Sequence, residues 1–302
     1  MIYIKLENEI GKENKKIKFI TNRVFKIKNK LLKLKEEKIE NGNLLVLPNL
    51  EKYTLEKLSK FLKIKCITKV CISENLIKNE DFINFLKQEN IEFFDGKWLL
   101  KHMSTDVVEY ICNLKKENLN YQEISILSND IDRIIKQIIF DLASQIRVLN
   151  LITKNENKFK KIEKELYNEN GIVLNINNNY KKSLSRSDII LNFNFSEEEL
   201  NKYNINSKAC IINFQDLIDI KTKTFLGLNV NFFDIILPRK YTINSNHLKE
   251  FNSTILYESY IYKKTSPENI KKEIKNDKVI IEFLNGKNGR IRKNEYIKLS
   301  KK

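Results

Sequence analysis

Between Tyr121 and Phe214 short apolar runs alternate with amphipathic stretches, and that alternation leaves the chain few folds to choose from. Glu123–Leu127 (EISIL) and Val148–Ile152 are apolar runs of strand length. Between them, over residues 130–146, Ile131, Ile134, Ile135, Ile138, Ile139, Leu142, Ala143 and Ile146 recur at the spacing of one buried helix face. A second helix is expected over 155–168, closed by Asn170-Gly171, where glycine suits a left-handed residue. Further strands are expected at 172–176, 189–193 and 209–213, with a short helix at 197–203 before the last. Strands alternating with helices in this way imply βαβ units, hence a parallel sheet covered on both faces, the α/β class.

A chain of 302 residues has room for two such units. Residues 1–40 read as an N-terminal hairpin or appendage: Ile2, Ile4 and Leu6 alternate, 9–16 is polar, 17–27 is extended, and 30–39 is a lysine-rich helix. Residues 41–103 form a small α/β domain, with strands at 44–47, 70–72 and 91–94 and helices at 54–62 and 79–88. Residues 104–118 are a connector helix with Ser104 as its N-cap. The main α/β domain occupies 119–240, and C-terminal helices with a strand fill 241–302. In that last part a strand is expected at 225–233, helices at 247–263 and 267–275, and a strand at 278–284. A crevice between two α/β units is where a small-molecule ligand is expected.

The formal charge of +16 invites a nucleic-acid partner, but its distribution argues otherwise. Only seven of the 55 basic residues are arginine, and the lysines are interleaved with 39 acids along every element. Alanine occurs only at Ala143 and Ala209, while lysine, asparagine and isoleucine abound, the bias of an AT-rich coding sequence. A solvated surface accounts for such lysines better than a binding groove, which would cluster them. Cys66, Cys71, Cys112 and Cys210 lack paired zinc spacing and only His102 and His247 could assist, so no metal site is expected. No apolar run approaches roughly 18 residues, so a cytoplasmic protein with reduced thiols and no membrane partner is expected.

The turn after the first strand of the main domain carries the sharpest expectation. A dinucleotide-binding turn there has glycines that let a pyrophosphate approach the helix start. Here it reads Leu127-Ser128-Asn129-Asp130-Ile131-Asp132, without glycine. Asp130 is expected to cap the helix, and with Asp132 to repel an anion. After the second strand, Thr153, Lys154 and Asn155 have the basic and hydroxyl character suited to a 2′-phosphate, and equally that of a polar loop capped by Asn155.

The strand 148–152, its Thr153-Lys154-Asn155 loop, the helix to Gly171, and Ser187-Asp188-Ile189-Ile190-Leu191-Asn192-Phe193 together resemble the NAD(P) domain of shikimate dehydrogenases and glutamyl-tRNA reductases. The resemblance implies a Rossmann-like sheet, a glycine loop at Ser128, Asn129 and Asp130, an NADP-recognising loop at Thr153, Lys154 and Asn155, and a cofactor-lining strand end at Asn192, Phe193 and Asn194. The loop glycines and the arginine of the second loop are absent, and the preceding domain shows neither a catalytic lysine–aspartate pair nor a nucleophilic cysteine setting. The expectation is therefore a non-catalytic or atypical ligand-binding or regulatory protein with no cofactor. An NADP-dependent oxidoreductase acting on a small carbonyl or hydroxy compound is the alternative, with Ser128 and Asn129 backbone N–H groups as phosphate donors. A basic nucleic-acid-binding protein is the third class.

Four side features complete the expectations. His102 is a candidate general acid or base, as is His247 at a helix start. Cys66 and Cys71 are expected to be buried. Tyr257, Tyr260 and Tyr262 could supply stacking surfaces for bases, but at helical spacing Tyr257 and Tyr260 are expected to pack in the core. Gly286-Lys287-Asn288-Gly289-Arg290-Ile291-Arg292-Lys293 reads as a hairpin turn followed by a solvated basic strand, with a composition that can hold phosphate.

Overall fold

A computed structural model describes residues 1–7, 34–39, 42–215, 218, 220, 225–241 and 248–300. The chain forms two compact units, Met1–Asp95 with Leu237–Glu273, and Gly96–Ile236 with Ile274–Lys302.

The first unit holds β1 (Ile2–Leu6), β2 (Lys35–Ile39), β3 (Gly42–Leu47), α1 (Lys52–Ile64), β4 (Lys69–Ile72), α2 (Glu74–Ile77), α3 (Glu80–Gln88) and β5 (Glu92–Phe93). Its sheet runs β2-β3-β1-β4-β5, parallel except for the antiparallel edge strand β2. β1, expected as half of a hairpin, is instead an interior strand with Tyr3 and Ile4 both fully buried. The alternation of Ile2, Ile4 and Leu6 suggested one covered face; the buried Tyr3 covers the other. Residues 35–39 are a strand and not a helix, and the exposed Lys35, Glu36, Glu37 and Lys38 guard that edge against further pairing. The polar turn at 9–16 and the extended stretch at 17–27 lie outside the described residues.

The second unit opens with α4 (Lys97–His102) and α5 (Ser104–Lys115). Ser104 was expected to cap a helix, but α4 precedes it directly and Met103 joins the two. Then follow β6 (Glu123–Leu127), α6 (Arg133–Ala143), β7 (Val148–Ile152), α7 (Glu156–Asn170), β8 (Asn175–Asn177), β9 (Ile189–Asn192), α8 (Glu197–Leu200), β10 (Cys210–Asn213) and β11 (Leu228–Val230). All six strands are parallel, in the order β11-β10-β9-β6-β7-β8. Counted along this unit, that is the 3-2-1-4-5-6 order of Rossmann-like sheets, reversing direction between β6 and β9. The unit is thus an α/β domain whose parallel sheet is flanked by helices, as its alternating pattern predicts. β9 and β10 are buried along their whole length.

Local chemistry explains where the elements start later or stop sooner than their periodicity suggests. α6 begins at Arg133 because Asp132, not Asp130, is its cap: the Asp132 carboxylate accepts the Ile135 N–H at 2.7 Å. Such a cap contributes about 1 kcal/mol. β8 begins at Asn175 and not at 172, because the Ile172 N–H is used to close α7 on Leu166 O, beside Gly171 at φ 67°. The expected strand at 225–233 is two strands. β11 completes the parallel sheet, Asn231 interrupts, and β12 (Phe232–Ile236) joins an antiparallel sheet with β13 (Ile280–Gly286) and β14 (Gly289–Arg290).

Helix α9 (Ser253–Lys264) belongs to the first unit, where Tyr257 and Tyr260 are buried. α10 (Ile270–Asn276) leads back to β13, and the chain closes in α11 (Lys293–Leu299). The hairpin expected at 286–289 is present, but the strand after it ends at Arg290, and helix α11 takes over from Lys293. The Arg292 N–H donates to Glu295 Oε2 at 2.7 Å, and Tyr296 and Leu299 are buried beneath.

Candidate functional site

In a sheet of this order the ligand crevice lies outside the carboxyl ends of the strands where the order reverses. In the second unit that point is occupied by the turns after β6, β7 and β9, and they are tied to one another through Asn129. The Asn129 N–H donates to Asn194 Oδ1 at 2.9 Å. Asn129 Oδ1 accepts the Lys154 N–H at 2.9 Å, and its carbonyl accepts from Asn155 Nδ2 at 3.0 Å. One residue therefore links three turns.

The flanking groups are equally engaged. The Ser128 N–H extends the ladder to Ile152 O at 3.1 Å, and Ser128 Oγ donates to Asp130 O at 2.6 Å. Thr153 is fully buried, donates its N–H to Asn177 O, and accepts the Asn155 N–H on Oγ1 at 3.0 Å. Both backbone donors named for a phosphate, Ser128 and Asn129 N–H, thus point at protein acceptors. Ser128, Asn129, Thr153, Lys154, Asn155 and Asn194 come together at this edge. Asn192 and Phe193 lie in the layer beneath.

The charges are paired as well. Lys154 bonds Glu199, the residue that also closes the start of α8 through the Ser196 N–H at 2.8 Å. That contact holds the Lys154 ammonium above the ordinary lysine value. Burial works to raise the Glu199 carboxyl, but the Lys154 and Ser196 hydrogen bonds outweigh it and the group sits below the usual glutamate value. The stabilisation from Glu199 is therefore present at neutral pH and fades as pH falls through the carboxylate range. Asp130, expected as the cap, instead takes Lys158 Nζ at 2.5 Å.

Beneath the turns runs a row of buried asparagines. Asn192 Nδ2 donates to Asn213 Oδ1 at 3.1 Å, and Asn213 Nδ2 donates to Asn231 Oδ1 at 3.0 Å. Asn192 also clasps Phe195, donating to its carbonyl at 3.0 Å and accepting its N–H at 2.9 Å. The Phe193 and Phe214 rings stack at 4.3 Å, nearly parallel, with Lys101 Nζ 6.0 Å from the Phe193 ring centre. This row was not anticipated, although the sequence carries its sign: Leu191-Asn192-Phe193, Ile212-Asn213-Phe214 and Val230-Asn231-Phe232 repeat one pattern at three strand ends.

The other candidates fall elsewhere. His102 is buried in α4 with its ring edge-on to Trp98 at 4.6 Å, and His247 lies outside the described residues. Tyr257 and Tyr260 are core residues. Tyr262 is exposed and carries Lys69 Nζ 4.8 Å from its ring centre. Among the described residues no group of three histidine, cysteine or acidic side chains could hold a metal ion, and no helix is long and apolar enough to cross a membrane.

The cysteines divide differently from expectation. Cys66 is exposed, in a left-handed position (φ 51°) just after α1, because the chain must reverse there. Cys71, Cys112 and Cys210 are buried, and burial pushes the Cys112 and Cys210 thiols up to about 12. Iodoacetamide at about pH 8 should label one thiol in the folded protein and four after unfolding. Rapid labelling of Cys112 or Cys210 by mass spectrometry would contradict the burial.

No family model matches this chain, and no curated protein does. Solved structures match at low similarity. L-tryptophan dehydrogenase from Nostoc punctiforme is 11% identical, with a TM-score of 0.33 over 78% of this chain and 67% of that one. A protein assigned as an aspartate carbamoyltransferase from Trypanosoma cruzi is 10% identical, with a TM-score of 0.27 over 59% of this chain and 63% of that one. Its counterpart from Leishmania major Friedlin is 9% identical, with a TM-score of 0.28 over 57% and 62%. The chain spans less than two thirds of the length of these last two. The α/β class rests on strand order and direction, not on these likenesses.

Proposed function

We propose that the second unit is akin to the NAD(P) domains of shikimate dehydrogenases and glutamyl-tRNA reductases, and that it serves as a non-catalytic ligand-binding or regulatory module. In this reading its dinucleotide seat is closed from within. The single observation that supports it is Asn129, whose N–H, carbonyl and side-chain oxygen are all committed to the neighbouring turns. Seating a diphosphate on the Ser128 and Asn129 N–H groups means breaking their bonds to Ile152 O and Asn194 Oδ1, each worth about 0.5–1.5 kcal/mol net. It also means bringing phosphate charge beside Asp130 and Asp132. Losing two such bonds costs about 1–3 kcal/mol, and with the repulsion from Asp130 and Asp132 added it moves a micromolar site toward millimolar. The Lys154 ammonium is committed to Glu199, so a 2′-phosphate must compete with a carboxylate for it.

Titration with NADPH, followed by nicotinamide fluorescence, tests this reading. No saturation is expected up to about 1 mM. Saturable binding that disappears in Lys154→Glu would replace this reading with the NADP-dependent oxidoreductase. Affinity for duplex or single-stranded nucleic acid that falls steeply with salt would replace it with the nucleic-acid class.

A further inference from the structure

We propose that the second unit carries a binding site for a small polyanion with two or more linked phosphoryl groups, in the cavity beside the turn between β13 and β14. The cavity measures about 760 Å³ and is walled by Gly286, Lys287, Arg290, Arg292 and Lys298, with Asn229 of β11 beside Gly286. That volume lies within the range of small-molecule sites.

This cavity is strongly cationic and holds two arginines. Four cations line it against one acid, Glu295, so its formal balance is +3. Glu295 is itself occupied, accepting the Arg292 N–H at 2.7 Å. Some lysines elsewhere meet carboxylates, as in Lys63–Glu89, Lys136–Glu165 and Lys158–Asp130. Among the described residues, Arg290, Arg292 and Lys298 have no acid within ion-pair distance. Two arginines in one cavity supply planar forks that match phosphoryl oxygens.

The frame that carries them is fixed. A Cβ on Gly286 would fall 2.9 Å from Asn229 O, so only glycine lets the end of β13 lie this close to the edge strand β11. Gly289 takes φ 95°, open to glycine, and turns the chain at once into Arg290. The Arg290 guanidinium lies 4.4 Å from the centre of the Phe283 ring, which holds its fork in place before any ligand arrives. No aromatic side chain lines the cavity, so it offers nothing for a base to stack on. Together these features favour a compact phosphoryl polyanion over a nucleic-acid strand. The site stands apart from residues 128–130 and does not depend on how that edge is read.

The test is calorimetric titration of the full chain with tripolyphosphate, with citrate as a polyanion of carboxylates. Tripolyphosphate should bind saturably at one site, and citrate at least about tenfold more weakly. Arg290→Ala and Arg292→Ala should each weaken tripolyphosphate binding about tenfold, given what a hydrogen bond to a charged group contributes. Lys298→Glu, at an exposed position of α11, should weaken it further still and serves if an arginine variant fails to fold. Any of four results would overturn the assignment. These are no heat at millimolar tripolyphosphate, unchanged affinity in the folded variants, citrate binding as tightly, or single-stranded RNA binding with a salt slope exceeding four cations.

Discussion

Asn192→Ala is expected to destabilise the protein by about 3–5 kcal/mol in urea denaturation. The side chain makes three hydrogen bonds where water has no access, two to the Phe195 backbone and one to Asn213. Truncation leaves the Phe195 N–H, the Phe195 carbonyl and Asn213 Oδ1 buried without those partners, and each such group costs about 1–3 kcal/mol. The effect should not remain local, because Asn213 in turn supports Asn231 at the junction between the two sheets of this unit. A loss below about 1 kcal/mol would mean that the asparagine row is not what holds the ends of β9, β10 and β11 together.

Gly227→Ala is expected to cost about 3 kcal/mol or more. A Cβ at Gly227 would lie 2.1 Å from the Ala209 carbonyl oxygen and 2.4 Å from the Phe225 ring. That same carbonyl accepts the Leu228 N–H at 3.1 Å, the bond that starts the pairing of β11 with β10. Relief of the clash must therefore lift β11 off the sheet. Gly171→Ala provides the contrast, since Gly171 has φ 67° and nothing within 4 Å of an added Cβ. It should cost only about 1 kcal/mol, the strain of a left-handed alanine. Equal losses at the two sites, measured by thermal or urea unfolding, would contradict the close approach at Gly227.

The parts of this fold that were legible are those in which burial writes itself into consecutive residues. β6, β7, β9 and β10 are short apolar runs because parallel strands covered on both faces admit little else. The interior place of β1 was hidden because its partners, β3 and β4, lie far along the chain and its alternation mimics a half-buried hairpin. α4 escaped because Gly96 and Met103 bound a single turn and a half too short to show a period. The run at 225–233 looked continuous, and only Asn231 marks the step from one sheet to the other.

The candidate site divides in the same way. Residues 128–129, 153–155 and 194 were picked from their places at strand ends, and they do converge. What they do there depends on pairings across 25 and 65 residues, Lys154 to Asn129 and Asn129 to Asn194, which no local pattern encodes. Capping passed from Asp130 to Asp132 because either can reach a helix start, and Asp130 pairs instead with Lys158, one helix away. The repeated aliphatic-Asn-Phe triplets were in plain view and are the one signal that would have located the buried row.

The measurement that bears most directly on the closed edge is a crystal structure of the protein soaked with NADPH. The contacts of Asn129 to Asn194, Lys154 and Asn155 should persist, with no diphosphate against residues 128–130. A diphosphate seated on the Ser128 and Asn129 N–H groups, with those contacts broken, would contradict it.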